Sequence, residues 1–195
     1  MLIVIAGPSG VGKDSVLARM RELGKPYHFT VTATTRQQRE SERDGTDYIF
    51  KTTEQFRRMI DREELLEWAE VYGNLYGVPR SQVAEALSRG HDVIIKTDVQ
   101  GAATIKRLST DALIIFLAPP SLDELAQRLT ARMTESTEDL SLRLATAESE
   151  MGEAESFDYV VVNRQGNLDE AVEEIDRIVA KERHRTPPRR VSLQP

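Results

Sequence analysis

The sequence predicts an α/β protein built on a parallel sheet covered by helices on both faces. Short apolar runs recur along the chain: "LIVIA" (2–6), "DVIIKTD" (92–98), "ALIIFLA" (112–118) and "YVVVN" (159–163). Each is followed by a stretch of helical pattern, and that alternation is the signature of a doubly covered parallel sheet. The first run also leads straight into a glycine-rich turn, "GPSGVGKDSV" at 7–16.

That turn is a phosphate-binding loop in outline. The pattern G-x-x-x-x-G-K followed by Ser or Thr places backbone N–H groups around phosphate oxygens, and the helix that follows adds the positive end of its dipole. Here Gly7, Pro8, Ser9, Gly10, Val11, Gly12 and Lys13 supply the loop, with Lys13 placed to reach the β- and γ-phosphates of a nucleotide. The next residue is Asp14 rather than a hydroxyl residue. Ser15 is no substitute, because one step along a helix turns the side chain by about 100°. Two readings of Asp14 stay open: a hard oxygen ligand for magnesium, or a favourable acid in the first turn of a helix.

Further along, residues 31–80 are rich in Thr, Arg, Gly and Tyr, with short strand-like pieces and one helix near 53–63, and read as a small lobe inserted between core elements. Pro119 and Pro120 stop the third apolar run, after which Ser121 and Glu124 form an expected capping box at the head of "SLDELAQRL". Residues 121–156 carry two charged helices around "ARMTESTED", polar enough to cover a site as a lid. Leu168, Ala171, Val172, Ile175, Ile178 and Val179 share one face of a last helix. The tail "HRTPPRRVSLQP" is expected to be disordered.

Bulk properties narrow the function. At 195 residues the chain suits one domain. It has no cysteine, which excludes disulfides and thiolate metal sites, and its three histidines lie far apart without metal-ligand spacing. A net charge of -6 argues against a nucleic-acid-coating role. No apolar stretch approaches the roughly 20 residues that span a bilayer, and no leader pattern opens the chain, so a cytoplasmic location is expected.

Beyond the loop the chain reads "TVTATTRQQRESERDGTDYIF", "LLEWAEVYGNLYGVPR", "TDVQGA", "APPSLDELAQRLTARMTEST" and "RLATAESEM". In this order and at these separations the series resembles the guanylate kinases, which phosphorylate GMP to GDP with ATP, over residues 2 to about 180. The resemblance implies that Arg36, Arg39, Tyr48 and Tyr76 bind the GMP phosphate. Guanidinium forks and phenol hydroxyls suit a phosphate monoester. It places Thr32, Glu67 and Asp98 around the guanine, whose edge offers donors to two carboxylates and an acceptor to one hydroxyl. It makes Arg132 and Arg143 lid arginines that act with Lys13 in catalysis, and puts Asn163 near the adenine of ATP.

Plainer roles remain open for several of these residues. The arginines could face solvent, Glu67 beside Trp68 could be a partly buried structural acid, and Asp98 could cap a helix. Four positions depart from the family pattern. Asp14 replaces Ser or Thr, Lys96 stands where an acid is usual, Val78 replaces a hydroxyl residue, and Met133 follows the lid arginine where Gly is usual. Asp14 and Lys96 are expected to lie close together as a compensating pair.

These observations combine into one reading: an α/β P-loop NTPase fold with a five-stranded parallel sheet flanked by helices. The core is 1–30, 81–120 and 157–183, the inserted GMP-binding lobe 31–80, the helical lid 121–150 and the tail 184–195. The expected reaction is ATP + GMP to ADP + GDP with magnesium, held in part by Asp14, and with no nucleic acid, membrane or obligate protein partner. Two alternatives stand beside it. A ribose 1,5-bisphosphate kinase explains the Asp-Ser ending of the loop but has no use for Thr32, Glu67 and Asp98 together. A non-catalytic module of the same fold has little use for the loop glycines and Lys13.

Overall fold

The computed structural model describes residues 1–130, 137–189 and 191, the side chains of 137–140 apart. The chain runs β1 (Leu2–Ala6), α1 (Lys13–Glu22), β2 (Tyr27–Phe29), β3 (Ala33–Thr34), β4 (Ile49–Phe50), α2 (Thr53–Asp61), β5 (Leu65–Val71), β6 (Asn74–Pro79) and α3 (Arg80–Ser88). It continues through β7 (Asp92–Lys96), α4 (Val99–Leu108), β8 (Leu113–Ala118), α5 (Leu122–Thr130), α6 (Thr137–Gly152), a 3-10 turn at Ala154–Ser156, β9 (Tyr159–Val162) and α7 (Leu168–Arg183).

The central sheet is parallel throughout, in the order β2-β7-β1-β8-β9. All five residues of β1 are buried because both faces of the sheet are covered. Its side chains alternate between two cores. Ile3 and Ile5 pack with Val16, Leu17, Ile175 and Val179 of α1 and α7, while Leu2, Val4 and Ala6 join Val83, Ala86, Ala102 and Ile105 of α3 and α4. Burial of each large aliphatic side chain contributes roughly 1.5–3 kcal/mol, so this double alternation is what fixes the register. Four of the five strands coincide with the apolar runs. The fifth, β2, has only three residues and one is His28; it earns strand geometry by pairing with β7 at Tyr27–Asp92, His28–Val93 and Phe29–Ile94.

Parallel strands end on the same edge, and that geometry builds the site. Gly7 follows β1, Thr97 and Asp98 follow β7, and Asn163 follows β9, so loops distant in sequence converge at the carboxyl edge of the sheet. The second sheet, β4-β3-β6-β5, belongs to the segment read as a lobe. It has its own small core of Ala33, Phe56 and Leu65, with α2 opened by a Thr52–Gln55 capping box. Tyr72 and Gly73 join β5 to β6 as a two-residue turn, both at positive φ (51° and 72°), the geometry that suits the twist of a hairpin. Leu125 and Leu129 of α5 pack on Ala147 and Leu144 of α6.

Two local expectations change. The capping box at α5 is half formed. Glu124 N donates to Ser121 Oγ at 3.2 Å, but the Glu124 carboxylate turns away to accept from Arg128 and from Gln165 N. A guanidinium is the stronger competitor for a carboxylate than a backbone amide. The basic tail, expected to lack structure, is tied down as far as Arg189. That guanidinium is buried, pairs with Glu182 at 2.6 Å and donates to Ala112 O at 2.9 Å, and Val191 packs against the core under α3 and α4. A charged residue near a chain end is held when it satisfies a buried carboxylate. We predict that Arg189→Ala, which removes the buried cation from Glu182 and leaves it to Tyr159 and the more distant Arg185, costs about 2–3 kcal/mol in urea unfolding. Arg185→Ala, whose pairing with the same carboxylate is longer and more exposed, should cost less than about 1 kcal/mol.

Candidate functional site

The phosphate loop is held in shape from behind. Gly7 has φ 146° and sits so close to β8 that a Cβ there would lie 2.3 Å from Leu117 O; Gly12, at φ 101°, opens α1. No residue with a side chain satisfies both demands at Gly7. The carbonyl of Val11 accepts from two side chains, Asn163 Nδ2 at 2.8 Å and Arg128 Nη1 at 3.1 Å, while Arg128 Nη2 also donates to Asn163 O at 2.7 Å. Lys13 folds over its own loop, donating to Gly7 O and to Pro8 O. Burial lowers the pKa of this ammonium, against the pull of Glu150, Asp14 and Asp98.

One cavity of about 410 Å³ joins this loop to the second sheet. Its wall includes Lys13, Asp14, Thr32, Arg36, Arg39, Tyr48, Glu67, Tyr76, Asp98 and Arg143, so the sequence brings together nearly every side chain singled out for it. Arg132 and Met133 lie outside the described residues. Asn163 does not line the cavity. Its Nδ2 braces the loop backbone, while its Oδ1 is buried with no hydrogen-bond partner among the described residues. Val78 is fully buried in the core with Leu66 and Val83, away from the wall.

The cavity has two chemically distinct ends. At one, cations pair with whatever anion is in reach. Arg36 bridges to Glu42 at 2.7 Å, the Arg39 guanidinium lies 3.9 Å from the same carboxylate, which also accepts from the Arg39 backbone N at 2.9 Å, and Lys96 pairs with Asp14. Burial works to raise the Asp14 carboxyl, but Lys96, Lys13 and the Tyr48 hydroxyl hold it below the ordinary carboxylate range. Tyr48 donates to Asp14 at 3.3 Å, and burial together with that neighbouring charge keeps the phenol protonated. Arg143 of α6 lies over the Tyr72 ring, 4.7 Å from its centroid, so the hairpin turn carries a contact between α6 and the second sheet.

At the other end lie polar atoms without obvious partners. Thr32 Oγ1 and Glu67 Oε2 are buried and have no hydrogen-bond partner among the described residues. Glu67 Oε1 accepts from Thr97 Oγ1 at 3.1 Å. Burial pushes the Glu67 carboxyl up to about 8, and the neighbouring Asp98 charge adds to the effect. Asp98 caps α4 by accepting from Gly101 N at 2.7 Å and also lines the cavity. Gly101 matters here for space. A Cβ would fall 2.0 Å from Thr97 Oγ1 and 2.5 Å from Glu67 Oε2.

Several contributors escaped the sequence reading. Glu42 orients Arg36, and its i,i+3 spacing from Arg39 was the available signal. Arg128 clamps the loop, and only its i,i+4 relation to Glu124 hinted that it was not free surface. Glu150 faces the cavity with its pKa pushed up to about 7 by burial, Lys13 opposing, and nothing local in "ESEM" distinguishes it from its neighbours.

Concerning a metal, no cluster of three or more His, Asp or Glu with ligating geometry occurs among the described residues. Asp14 offers a carboxylate that stays ionised and is open to the cavity, a hard oxygen donor of the kind magnesium takes when phosphates supply the rest.

A phosphate loop at the carboxyl edge of a parallel sheet, joined by one cavity to a second sheet and to the Arg36 and Arg39 loop beside it, defines a P-loop kinase with a separate acceptor end. The family profile described as guanylate kinase matches residues 1–182, and the chain belongs to that family. It is 45% identical over 194 residues to guanylate kinase 2, chloroplastic/mitochondrial, of Oryza sativa subsp. japonica, covering 99% of this chain and 68% of the relative. It is 43% identical over 182 residues to a guanylate kinase of Halalkalibacterium halodurans, covering 93% and 88%. The crystal structure of guanylate kinase from Anaplasma phagocytophilum superposes with a TM-score of 0.79 at 32% identity, over 95% of this chain and 87% of that one. The chain is a nucleoside monophosphate kinase with guanylate kinase function.

The buried Glu67 makes stability depend on pH. A carboxyl whose value in the fold, about 8, exceeds its unfolded value holds a proton that the unfolded chain releases. Its contribution is therefore fully present below about pH 4.5 and is lost as pH rises through about 8. Glu67→Gln should flatten this fall, being more stable than the wild type to urea at pH 8 by on the order of a few kcal/mol, and close to it at pH 5.

Proposed function

We propose that this cavity binds GMP at the Thr32–Glu67–Asp98 end and the triphosphate of ATP on the loop, and transfers the γ-phosphoryl group between them. The observation that carries the reading is the pair of buried, unmatched polar atoms, Thr32 Oγ1 and Glu67 Oε2, at the end of the cavity opposite Lys13. Guanine has an N1–H and an exocyclic amine for the two carboxylates and O6 for the hydroxyl. Adenine presents an acceptor at N1 and would leave the Glu67 carboxylate facing a lone pair, a mismatch that buried polar sites reject strongly.

The acceptor phosphate then falls among Arg36, Arg39, Tyr48 and Tyr76. An oxygen of that phosphate attacks the γ-phosphorus of ATP in line, the bond to the β-phosphate oxygen breaks, and ADP leaves. No general base is required, because the nucleophile is already a phosphate oxygen. The chain's own part is to align the two phosphates and to supply positive charge where it builds up. Lys13 does so from the loop and Arg143 from α6; Arg132 belongs to the same role. Asp14 is the residue that would hold magnesium. When bound with ATP, that ion neutralises charge on the β- and γ-phosphates. Retention of Gly7, Gly12 and Lys13 in working geometry favours catalysis over a purely binding module. The base end of the cavity gives a sugar bisphosphate nothing to use. The short apolar runs fit a protein without a spanning helix, and among the described residues no helix is long and apolar enough to cross a membrane. A role in purine nucleotide metabolism in the cytoplasm is the setting this reading supports.

The test is ADP release with ATP and magnesium against three acceptors: GMP, AMP and ribose 1,5-bisphosphate. Turnover on GMP, with AMP slower by about a hundredfold or more, is the expected result. Preference for the sugar bisphosphate would overturn the assignment. Lys13→Ala should lower kcat by about a hundredfold or more while GMP still binds. Because Glu67 must lose its proton to accept from N1–H, GMP should bind more tightly as pH rises from 6 to 8. Proton release to the buffer, seen by calorimetry in buffers of different ionisation enthalpy, checks this directly.

A further inference from the structure

The exchange of an acid for Lys96 has a second consequence besides balancing Asp14. The Lys96 ammonium is nearly buried, with 11% of its side chain exposed, at the end of β7, and it lines the cavity. It touches three things: the Asp14 carboxylate, Asp47 O at 3.4 Å, and the face of the Tyr48 ring, with Nζ 3.8 Å from the centroid. The Arg36 guanidinium lies over the same ring at 5.2 Å, and the Tyr48 hydroxyl donates to Asp14. Lys96 therefore stands with Arg36 and Tyr48, where the acceptor phosphate is placed by the functional reading on which this inference rests. In this structure the cations at that end rest on substitutes for phosphate: Arg36 on Glu42, Lys13 on loop carbonyls, and Lys96 on Asp14.

We propose that Lys96 is a phosphate ligand for the acceptor nucleotide, exchanging the Asp14 carboxylate for a phosphate oxygen when GMP binds. Asp14 and the phosphate are then competitors for one ammonium. A compact ammonium with three donors on a flexible stem can move between two anions without rearranging the strand that carries it. Asp14, released from Lys96, becomes a freer carboxylate beside the loop, so occupancy of the acceptor end changes the charge presented to the donor end. This links two sites through one ion pair, and by reciprocity the link runs both ways.

The experiment is calorimetric binding of GMP and of guanosine, without ATP or divalent metal, to the full chain and to Lys96→Met, Asp14→Asn and the double variant. Guanosine lacks the phosphate and reports on the base end alone. Lys96→Met should weaken GMP by about tenfold and leave guanosine unchanged. Asp14→Asn should tighten GMP severalfold. The decisive comparison is the double variant against Asp14→Asn. If Lys96 is a ligand, removing it still weakens GMP about tenfold when Asp14 carries no charge. If Lys96 only neutralises Asp14, the double variant binds GMP as tightly as Asp14→Asn and the proposal is overturned. Unchanged guanosine binding shows that each variant is folded. A wild-type chain that binds neither GMP nor guanosine would remove the functional reading, and the Lys96 assignment with it. GMP binding by the wild type, with no difference between Asp14→Asn and the double variant, would remove the Lys96 assignment alone.

Discussion

The phosphate loop has to be held in one shape from outside itself, and in this chain the restraint comes through the Val11 carbonyl. Asn163 and Arg128 both donate to it, from the end of β9 and from α5, and Gly7 lets the loop lie flat against the carbonyl of Leu117. Three separate elements of the core are thereby tied to one turn. The dependence extends outward. Arg128 is oriented by Glu124, whose carboxylate also receives Gln165 N, so the start of the charged α5 and the connection from β9 to α7 are held by the same network. Burial of these charge-assisted bonds is what gives the loop a fixed shape before any nucleotide arrives.

The same logic, with ions in place of carbonyls, governs the rest of the cavity. A site meant for polyanions accumulates cations, and cations brought together repel. Glu42 and Asp14 relieve that repulsion while leaving the cations near where phosphate is needed. The two carboxylates are not equivalent. Glu42 sits within the loop of Arg36 and Arg39 and organises its shape, whereas Asp14 reaches across from α1 to β7 and β4's neighbour Tyr48, connecting elements more than thirty residues apart. The base end uses the opposite device. There, anionic groups are crowded and desolvated, so that Glu67 holds its proton up to about pH 8.

Much of this was readable from the sequence, and the reasons are specific. Strands buried on both faces write continuous apolar runs, so β1, β7 and β8 were plain; of the two edge strands, β9 still carries a run of valines, while the three-residue β2 left no such mark. The loop motif and the acceptor cations stand out because their residue types are restricted by phosphate chemistry. What stayed hidden was orientation. Asn163 gives no sign in sequence that its Nδ2 reaches the loop, and Arg128 carries the same charge as any helix surface until the Val11 carbonyl is seen beneath it. The tail read as disordered on composition, yet its described part is fastened through Arg189, because Glu182 lies buried on α7 beside it. Composition averages over residues, whereas a buried carboxylate selects one.

Gly101 shows how little separates recognition from mere stability in such a site. In the first turn of α4 a glycine is a poor choice for the helix, and alanine would favour helix formation by roughly 1 kcal/mol. The added methyl, however, would occupy the space into which Thr97 and Glu67 fold. Selection for a sturdier helix and selection for the present arrangement of Thr97 and Glu67 therefore pull in opposite directions at this position. A lineage that drifted to the sturdier residue would keep its sheet and its loop, and would have to rebuild the buried corner that these two side chains share.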